Sequence, residues 1–314
     1  MKTIDIVLPA YNEEEALPYF HAELMRVLKT IEREYSFHIT YVLDRSSDDS
    51  FGVLRRIASV QSNVKVVHLS RRFGHQMSLV AGMDQSTGDA LIMMDCDLQH
   101  PPSVIPLLLE QFEQGYEVVH AIRRYDKKIN PAKRFTSRLF YRLQNALSPI
   151  EIDNGAADFR LISQKVVRVF QQSIREQNQF LRGLFQWVGF RNNSVSFVSP
   201  QRAAGITKYD FWRLLAFSVA GITSFSKVPL RFATFLGLAI STFSLVYGFW
   251  LIGYYYLGGT MPAGYTSLIV LVLFIGGLQL MVLGIIGEYL GSIFDEVKAR
   301  PLYIIDTILT GGAS

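Results

Sequence analysis

The feature of this sequence that most restricts its fold is a long uncharged stretch in the C-terminal half. No Asp, Glu, Lys or Arg occurs from Phe232 to Gly287. Phe232–Tyr256 and Tyr265–Gly287 are each long enough to cross a bilayer, and the glycine-rich residues between them are typical of a tight turn. A buried helical hairpin of a soluble protein is the alternative. Two adjacent uncharged segments of this length favour a two-helix transmembrane hairpin over residues 232–288.

The charges that flank this stretch predict its orientation. Basic residues precede the first segment and follow the second, and the turn between the segments contains none. They are Lys208, Arg213, Lys227 and Arg231 before the stretch, and Lys298 and Arg300 after it. The positive-inside rule therefore places both ends in the cytoplasm. Because Asp5 lies where a signal peptide needs its apolar core, we expect a cytoplasmic domain over residues 1–208 and a cytoplasmic tail over residues 289–314.

Two segments, Lys133–Leu143 and Tyr209–Phe225, mix basic and aromatic residues at helical spacing. This composition is typical of helices that lie in the interface of an anionic membrane, so residues 209–231 are assigned to juxtamembrane interfacial helices. Amphipathic helices packed on the domain are the alternative. Glycines at 277, 284, 287 and 291 allow close helix contact within the hairpin or between subunits, which leaves a homo-oligomer open.

The N-terminal half alternates short apolar runs with amphipathic segments, which predicts an α/β domain with a mostly parallel sheet. The predicted strands are Ile4–Leu8, His38–Leu43, Val64–Leu69, Ala90–Met94 and Tyr116–Ile122, and the predicted helices are Glu13–Arg33, Asp49–Ala58, Gln76–Gln85 and Val104–Phe112. Open α/β sheets bind their ligands at the carboxyl ends of the strands. We therefore expect the functional site in the turns that follow these strands.

Those turns are rich in polar residues. They are Pro9–Glu14, Asp44–Asp49, Ser70–His75 and Asp95–Pro102. Asn12 and Asp48 are also suited to capping the helices that follow. Asp95 and Asp97 come directly after a buried strand and share a face if the backbone there is extended. Such hard oxygen ligands suit Mg²⁺ or Mn²⁺ together with substrate phosphates; a polar turn without metal is the alternative.

Composition narrows the choice of partner. The net charge of +4 suits nucleic acid, anionic lipid or phosphorylated small molecules. The concentration of apolar residues in one stretch favours membrane lipid and phosphorylated small molecules over nucleic acid. Cys96 is the only cysteine, so the chain has neither an internal disulfide nor a cysteine-based metal site.

Several of these motifs together resemble the family 2 glycosyltransferases of GT-A fold. The motifs are Pro9–Glu14, Arg72–Gln76, Asp95–Pro102, Asn154–Leu161, Arg202–Tyr209 and Gly287–Gly291. Within the family, the chain is similar to the polyprenyl-phosphate glycosyltransferases, the group of dolichol-phosphate mannose synthases and bactoprenol glucosyltransferases. The two-span tail most resembles the bacterial bactoprenol glucosyltransferases of O-antigen modification.

The resemblance implies a GT-A (Rossmann-like) catalytic domain attached to the bacterial inner membrane. The implied reaction is the inverting transfer of a hexose, glucose from UDP-glucose, to undecaprenyl phosphate. GDP-mannose and aminoarabinose-type donors stay open as alternatives.

The resemblance also implies roles for particular residues. Asp95, Asp97 and Gln99 would hold Mg²⁺ or Mn²⁺ against the phosphates of the nucleotide sugar. Pro9, Tyr11, Glu13 and Asp44 would line the nucleoside pocket, with Asp95 and Gln99 beside it. Arg123, Arg134, Arg202 and Lys208 would receive anionic phosphates, with Arg134, Arg202 and Lys208 on the acceptor side. Asp158 would lie beside the acceptor, where the family's acidic residue is often proposed to act as a base.

The chemistry of the implied reaction favours a different role for Asp158. The acceptor is a phosphate monoester with a second pKa near ~6, so it is largely ionised at neutral pH. It hardly needs a base, and we expect Asp158 to orient other groups. Negative charge develops on the leaving diphosphate, which a divalent ion at Asp95 and Asp97 would stabilise.

The sequence departs from the family pattern at two places. Leu43–Ser46 stands where Asp-Asp-Gly-Ser is usual, which affects the nucleoside contact. Ala157 replaces a frequent glycine, so a positive φ there would be strained.

Two other classes of protein are less well supported. Processive polysaccharide synthases have a Gln-x-x-Arg-Trp motif and more spans, and neither occurs in this sequence. A lipid flippase would need more spans that carry polar residues, and the Asp95–Asp97 pair argues against a non-catalytic scaffold.

Overall fold

The computed structural model describes residues 1–124, 156–177, 179–198, 228–257 and 264–312. These residues belong to two compact units. One contains the described residues before 199 together with those from Arg300 onward, and the other contains the described residues from 228 to 299. The predicted interfacial segments, with Arg134, Arg202 and Lys208, lie outside the described residues.

Eight strands of the described residues form one sheet in the first unit, in the order β7-β5-β6-β4-β1-β2-β3-β8. They are β1 (Lys2–Ala10), β2 (Tyr35–Leu43), β3 (Val64–Leu69), β4 (Ala90–Met93), β5 (Val118–Arg124), β6 (Ala156–Ser163), β7 (Asn192–Val198) and β8 (Ile305–Thr310). β1 pairs in parallel with β2 and β4, β2 with β3, and β5 with β7. The predicted mostly parallel α/β sheet of GT-A type is thus confirmed.

Helices of the first unit connect and cover the strands. They are α1 (Leu17–Ile31), α2 (Ser50–Val60), α3 (His75–Asp84), α4 (Ile105–Glu113), α5 (Gln164–Gln172) and α6 (Leu181–Trp187). α1 begins with a proline in its first turn, where the missing N–H costs nothing, and it buries Leu17, Phe20 and Leu24 against the sheet. It is shorter than the predicted Glu13–Arg33 because residues 11–16 form turns, and backbone N–H groups of these turns donate to side chains of the loop that follows β2.

α3 lies very close to β1. A Cβ added at Gly82 would approach Val7 Cγ1 to 2.2 Å, so only glycine fits this contact. The close contact fixes the helix on the sheet, and it holds His75, the first residue of α3, at the carboxyl edge of the strands.

β6 runs antiparallel to β4, with Met93 paired to Arg160. Continuing this register by two residues places Asp158 opposite Asp95. Asp158 therefore reaches the same sheet edge as the carboxyl ends of the parallel strands. Ala157 lies within β6 in extended backbone, so its departure from glycine needs no positive φ.

β8 was not predicted, because residues 289–314 were expected to form a cytoplasmic tail. Ile305–Thr310 instead pair antiparallel with β3 at the sheet edge. Alternate residues of β8 are half-buried and exposed, the pattern of a strand with one covered face. The strand ends at Gly311, where a Cβ would lie 1.9 Å from the Gln61 carbonyl oxygen.

The second unit contains two long helices that contact each other, α7 (Val228–Tyr256) and α8 (Tyr265–Val297). Within α8, Phe274–Val297 is long and apolar enough to cross a membrane, and it is the one such segment among the described residues. Large apolar side chains on both helices are exposed, such as Phe235, Phe243 and Leu280, each at least 70%.

Candidate active site

Polar side chains of the first two turns bond to each other. The Asn12 side-chain oxygen accepts the Ser47 N–H at 2.8 Å, and the Asn12 N–H donates to Ser46 Oγ at 3.0 Å. Asp48 accepts the Glu14 N–H at 3.1 Å, and Glu14 in return accepts the Asp49 N–H at 2.7 Å. Asn12 has a φ of 55°, a conformation that asparagine tolerates better than most residues. These contacts fix the turn after β1 against the turn after β2.

Asp44 holds the third turn. Its two carboxylate oxygens accept the N–H groups of Phe73 and Gly74, each at 2.8 Å, and the side chain is buried. Gly74 has a φ of 95°, which L side chains rarely adopt. Asp44 and Gly74 together therefore determine where α3 begins.

These turns surround a cavity of about 270 Å³ at the carboxyl edge of the sheet. It is lined by Pro9, Ala10, Tyr11, Glu13, Asp44, Arg72, Gly74, His75, Ser78, Asp95, Cys96 and Asp97. The Arg72 guanidinium lies 4.2 Å from the centre of the Tyr11 ring, a cation–π contact. The cavity lining thus combines an aromatic and basic pair, Tyr11 and Arg72, with the carboxylates of Asp95 and Asp97.

Asp95 is held by two histidines. His75 Nε2 donates to Asp95 Oδ1 at 2.7 Å, and the Asp95 N–H donates to His100 Nδ1 at 2.9 Å. His100 is buried against the Phe159 ring, and burial lowers its pKa, so the ring is neutral with Nδ1 as acceptor. Burial raises the pKa of the Asp95 carboxyl, but the charge and hydrogen bond of His75 outweigh burial and hold that pKa below its usual range.

Asp97 is held by the turn that follows it. Its oxygens accept the Gln99 N–H at 3.0 Å and the Gln99 side-chain N–H at 2.7 Å. Gln99 Oε1 accepts a hydrogen bond from Arg123 Nη2 at 2.9 Å. Leu98, which lies between Asp97 and Gln99 in the sequence, has a φ of 63°. A left-handed conformation at a leucine stores backbone strain of the kind found at functional sites.

Asp158 lies between two arginines. Arg182 donates to both of its oxygens, from Nε at 2.9 Å and from Nη2 at 2.8 Å, and Arg160 Nη2 donates to Oδ1 at 3.0 Å. Burial raises the pKa of the Asp158 carboxyl, but the two guanidiniums outweigh burial and hold that pKa well below its usual range. Arg160 is 1% exposed and stacks on Phe185 at 4.5 Å, and burial lowers its pKa to about 10.

His75 connects the two carboxylate groups, because its Nδ1 lies 3.9 Å from Asp158 Oδ2 while Nε2 donates to Asp95. Burial lowers the pKa of His75, but the charge and hydrogen bond of Asp95 together with the charge of Asp158 outweigh burial, so the pKa of His75 is raised. The neighbouring Gln76 side-chain oxygen accepts the Leu181 N–H at 3.2 Å and so positions α6, which carries Arg182. A continuous polar chain therefore runs from Asp95 through His75 and Asp158 to Arg182.

The carboxylates of Asp95 and Asp97 fit a divalent ion that takes most of its ligands from phosphate oxygens and water. Among the described residues, no group of three or more His, Cys, Asp or Glu side chains could hold a metal alone. Mg²⁺ and Mn²⁺ commonly use one or two carboxylates and complete their shell with phosphate oxygens and water. Asp95 and Asp97, both on the cavity wall, suit this arrangement.

The structure brings most of the expected residues together. Pro9, Tyr11, Glu13, Asp44, Asp95 and Asp97 line the one cavity. Gln99, expected to be a metal ligand, uses its side-chain oxygen to bind Arg123, and its amide nitrogen holds Asp97. Arg123 is therefore connected to Asp97 through Gln99 in this arrangement.

Sequence reasoning missed His75 and Arg182. His75 belongs to the Arg72–Gln76 motif, but its role depends on the contact with Asp95, which the sequence pattern does not show. Arg182 ends the run Gln179–Arg182, which has the first four positions of the Gln-x-x-Arg-Trp motif, with Gly183 in place of the tryptophan. That partial match was the available signal.

A mostly parallel α/β sheet with a carboxylate pair beside a cavity at its carboxyl edge is the arrangement of a GT-A-like glycosyltransferase. The family model for glycosyl transferase family 2 matches residues 5–170. The chain belongs to this family, and it is a glycosyltransferase.

Similar proteins match nearly the whole chain. An uncharacterized glycosyltransferase of Synechocystis sp. is 42% identical over 307 residues, which cover 97% of this chain and 95% of that protein. A prophage-derived bactoprenol glucosyl transferase of Shigella flexneri is 39% identical over 302 residues, 96% of this chain and 97% of that protein. A prophage bactoprenol glucosyl transferase homolog of Escherichia coli is 38% identical over 305 residues, 97% and 99% of the two chains.

Proposed function

We propose that the protein transfers glucose from UDP-glucose to a polyprenyl phosphate, undecaprenyl phosphate, with inversion at the anomeric carbon. The observation that carries this proposal is the cavity with Tyr11 and Asp44 on its wall and the carboxylates of Asp95 and Asp97 beside them. The names of the Shigella and Escherichia relatives, bactoprenol glucosyl transferases, support the sugar and the acceptor.

The nucleoside of the donor would lie beside Pro9, Tyr11 and Glu13. Asp44 is already bonded through both oxygens to the backbone of Phe73 and Gly74. It would therefore shape the pocket by holding the third turn as well as by lining it. Arg72, stacked on Tyr11, places a positive charge on the same wall.

Mg²⁺ or Mn²⁺ would be held by Asp95 and Asp97, with the remaining ligands from the donor diphosphate and water. When bound, such an ion stabilises the negative charge that develops on the leaving diphosphate. The chain's own part is to hold the two carboxylates in place. His75 and His100 fix Asp95, and Gln99 with Arg123 fixes Asp97.

Asp158 would orient neighbouring groups and would not act as the base. A carboxylate that accepts three hydrogen bonds from two guanidiniums, with a pKa well below its usual range, is a poor proton acceptor at neutral pH. The acceptor phosphate is itself largely ionised. Its attack on the anomeric carbon therefore needs positioning more than deprotonation, and Asp158 contributes by fixing Arg182 and by facing His75.

The acceptor is a lipid, and the second unit suits a membrane. α7 has 29 residues and α8 has 33, so at about 1.5 Å per residue each is longer than the roughly 30 Å hydrocarbon core. Exposed apolar side chains along both helices would be costly in water. We propose that α7 and α8 form a two-helix transmembrane hairpin in the bacterial inner membrane, with the catalytic unit in the cytoplasm. Arg134, Arg202 and Lys208 are proposed to bind the acceptor phosphate.

A transfer assay with purified full-length protein in detergent tests this function. UDP-glucose, GDP-mannose and an aminoarabinose-type donor are each offered with undecaprenyl phosphate, with Mn²⁺, Mg²⁺ or a chelator. We expect a lipid-linked monosaccharide with UDP-glucose in the presence of metal. The Asp95→Asn variant should lose this activity, and Glu110→Gln, at an exposed carboxylate on α4, should retain it. A polymer would overturn the transfer of a single sugar, and a product from another donor would overturn the choice of UDP-glucose. No product from any donor would overturn the proposed reaction.

A further inference from the structure

Two adjacent residues near the C-terminus hold both ends of one segment of the catalytic unit. The Ser70 N–H donates to the Ile304 carbonyl oxygen at 2.9 Å, and the Tyr303 hydroxyl donates to Asp84 Oδ2 at 2.6 Å. Ser70 is the first residue after β3, and Asp84 is the last residue of α3. Residues 70–84 are therefore held at their beginning and their end by the same short stretch of chain.

The stretch that makes these contacts is itself firmly attached. Leu302 is 8% exposed, and the Gln177 side chain donates to the Arg300 carbonyl oxygen. Asp84 is also bound by both terminal nitrogens of Arg175, at 2.8 and 2.9 Å. β8 follows directly and pairs with β3 along its length.

The segment between the two contacts carries one wall of the cavity. Arg72, Gly74, His75 and Ser78 all line it, and His75 also donates to Asp95. Asp44 holds the middle of the segment through Phe73 and Gly74, and Arg45 Nη1 donates to the Ser70 carbonyl oxygen at 3.1 Å. With Tyr303 and Ile304, the segment is fixed at its start, its middle and its end.

We propose that residues 300–310 form a positioning element of the donor site, with Tyr303 as its positioning residue. A strand that only covered the sheet edge would need no contacts beyond the β3 ladder. The Ser70–Ile304 bond extends that ladder by one residue pair, but the bond from Tyr303 to Asp84 lies outside it, at the far end of the segment that carries the cavity wall. The effect on the donor rests on the proposed function; the effect on the order of residues 70–84 does not.

Tyr303→Phe removes one hydroxyl and keeps the ring, so it tests the contact without disturbing the packing. Hydrogen–deuterium exchange of the full-length protein should show faster exchange across residues 70–84. The KM for UDP-glucose should rise about two- to tenfold, the range expected for the loss of one hydrogen bond, while kcat changes less than about twofold. Tyr19→Phe, at a tyrosine that is 73% exposed on α1, is the matched control and should change neither quantity.

Asp84→Asn is a second variant, which changes the acceptor of the hydrogen bond that Tyr303 donates. Because Asp84→Asn also weakens the two bonds from Arg175, its single effect should be the larger, and the double variant should raise the KM no further than Asp84→Asn alone. Unchanged exchange in residues 70–84 overturns the inference, and so does faster exchange with an unchanged KM. If the wild type shows no turnover with UDP-glucose, the proposed function fails, and the exchange comparison alone decides whether Tyr303 orders this segment.

Discussion

Replacing Asp158 by Asn removes one negative charge from a buried cluster and keeps the shape of the side chain. In the wild type this carboxylate accepts three hydrogen bonds from Arg160 and Arg182. Arg160 is 1% exposed, so in the variant its charge would be buried without its carboxylate partner. Breaking a buried ion pair from one side costs about 3–5 kcal/mol. For a unit of this size that corresponds to a fall of about 6–20 °C in melting temperature.

Thermal unfolding of the two proteins in the same detergent measures this difference, and its pH dependence tests the cause. A carboxyl with a depressed pKa in the folded state contributes stability above its unfolded pKa, about 3.9, and that stability is lost as the pH falls through the folded pKa. The difference between wild type and Asp158→Asn should therefore be complete at pH 7 and shrink below about pH 4. Asp97→Asn is the matched control, because the Asp97 carboxylate accepts hydrogen bonds from neutral groups of Gln99, and it should cost about 1 kcal/mol or less.

The double variant Asp158→Asn/Arg160→Gln separates charge from packing. Because it also removes the buried guanidinium charge, it should recover part of the stability that Asp158→Asn loses. The reasoning is refuted if Asp158→Asn unfolds at the wild-type temperature. It is also refuted if the acid limb of the wild-type pH profile stays fixed with a phosphonate acceptor and is absent from the profile of a folded, still active Asp158→Asn protein, since that pair of results identifies Asp158 as the base.

Four further outcomes are expected. Asp95→Ala and Asp97→Ala should each lower kcat by at least about 10²-fold, while the circular dichroism spectrum shows an unchanged fold; near-normal turnover of both variants would contradict the proposed metal site. Gly74→Ala should cost about 1–3 kcal/mol, because a φ of 95° with a ψ of 163° is a backbone region that is nearly restricted to glycine, and should raise the donor KM; an unchanged melting curve contradicts this. The acid limb of the rate should follow the second pKa of the acceptor phosphate, ~6, and should shift with a phosphonate acceptor; a fixed limb argues for an enzyme group. In a Cys96→Ser background, a cysteine at Gly259 should be labelled from outside intact cells and one at Ser314 should not; the reverse pattern overturns the proposed orientation.

Hydrophobic pattern was enough to predict the parallel half of the sheet. β1, β2 and β4 contain apolar runs that are buried on both faces, and such runs separated by amphipathic helices leave few alternatives. The position of the site followed from the same rule, since the turns after these strands meet at one edge. Tyr11, Asp44 and Asp95 accordingly line one cavity.

Side-chain partners could not be predicted in this way. Asp44, expected to bind nucleoside, also bonds to two backbone N–H groups 29 and 30 residues further along the chain. The contact of Asp158 with Arg182 depends on the antiparallel direction of β6 and on the position of α6. Neither is encoded in local periodicity, so only the folded arrangement reveals that Asp158 is held by arginines.

β8 escaped prediction for a related reason. Ile305–Thr310 is short, and its half-buried positions include Thr307, so the apolar alternation is weak. Its partner β3 lies more than 200 residues earlier in the sequence. A strand that depends on so distant a pairing leaves little local signal.

Mass spectrometry of the lipid product is the most direct test of the central claim. Purified wild-type protein is incubated with isotopically labelled UDP-glucose, undecaprenyl phosphate and Mn²⁺, and the lipid fraction is analysed. The account predicts undecaprenyl phosphate that carries one labelled hexose and loses it on mild acid treatment, with no such product from Asp95→Asn. Unmodified lipid, a chain of several hexoses, or a hexose attached only when GDP-mannose is supplied would contradict it.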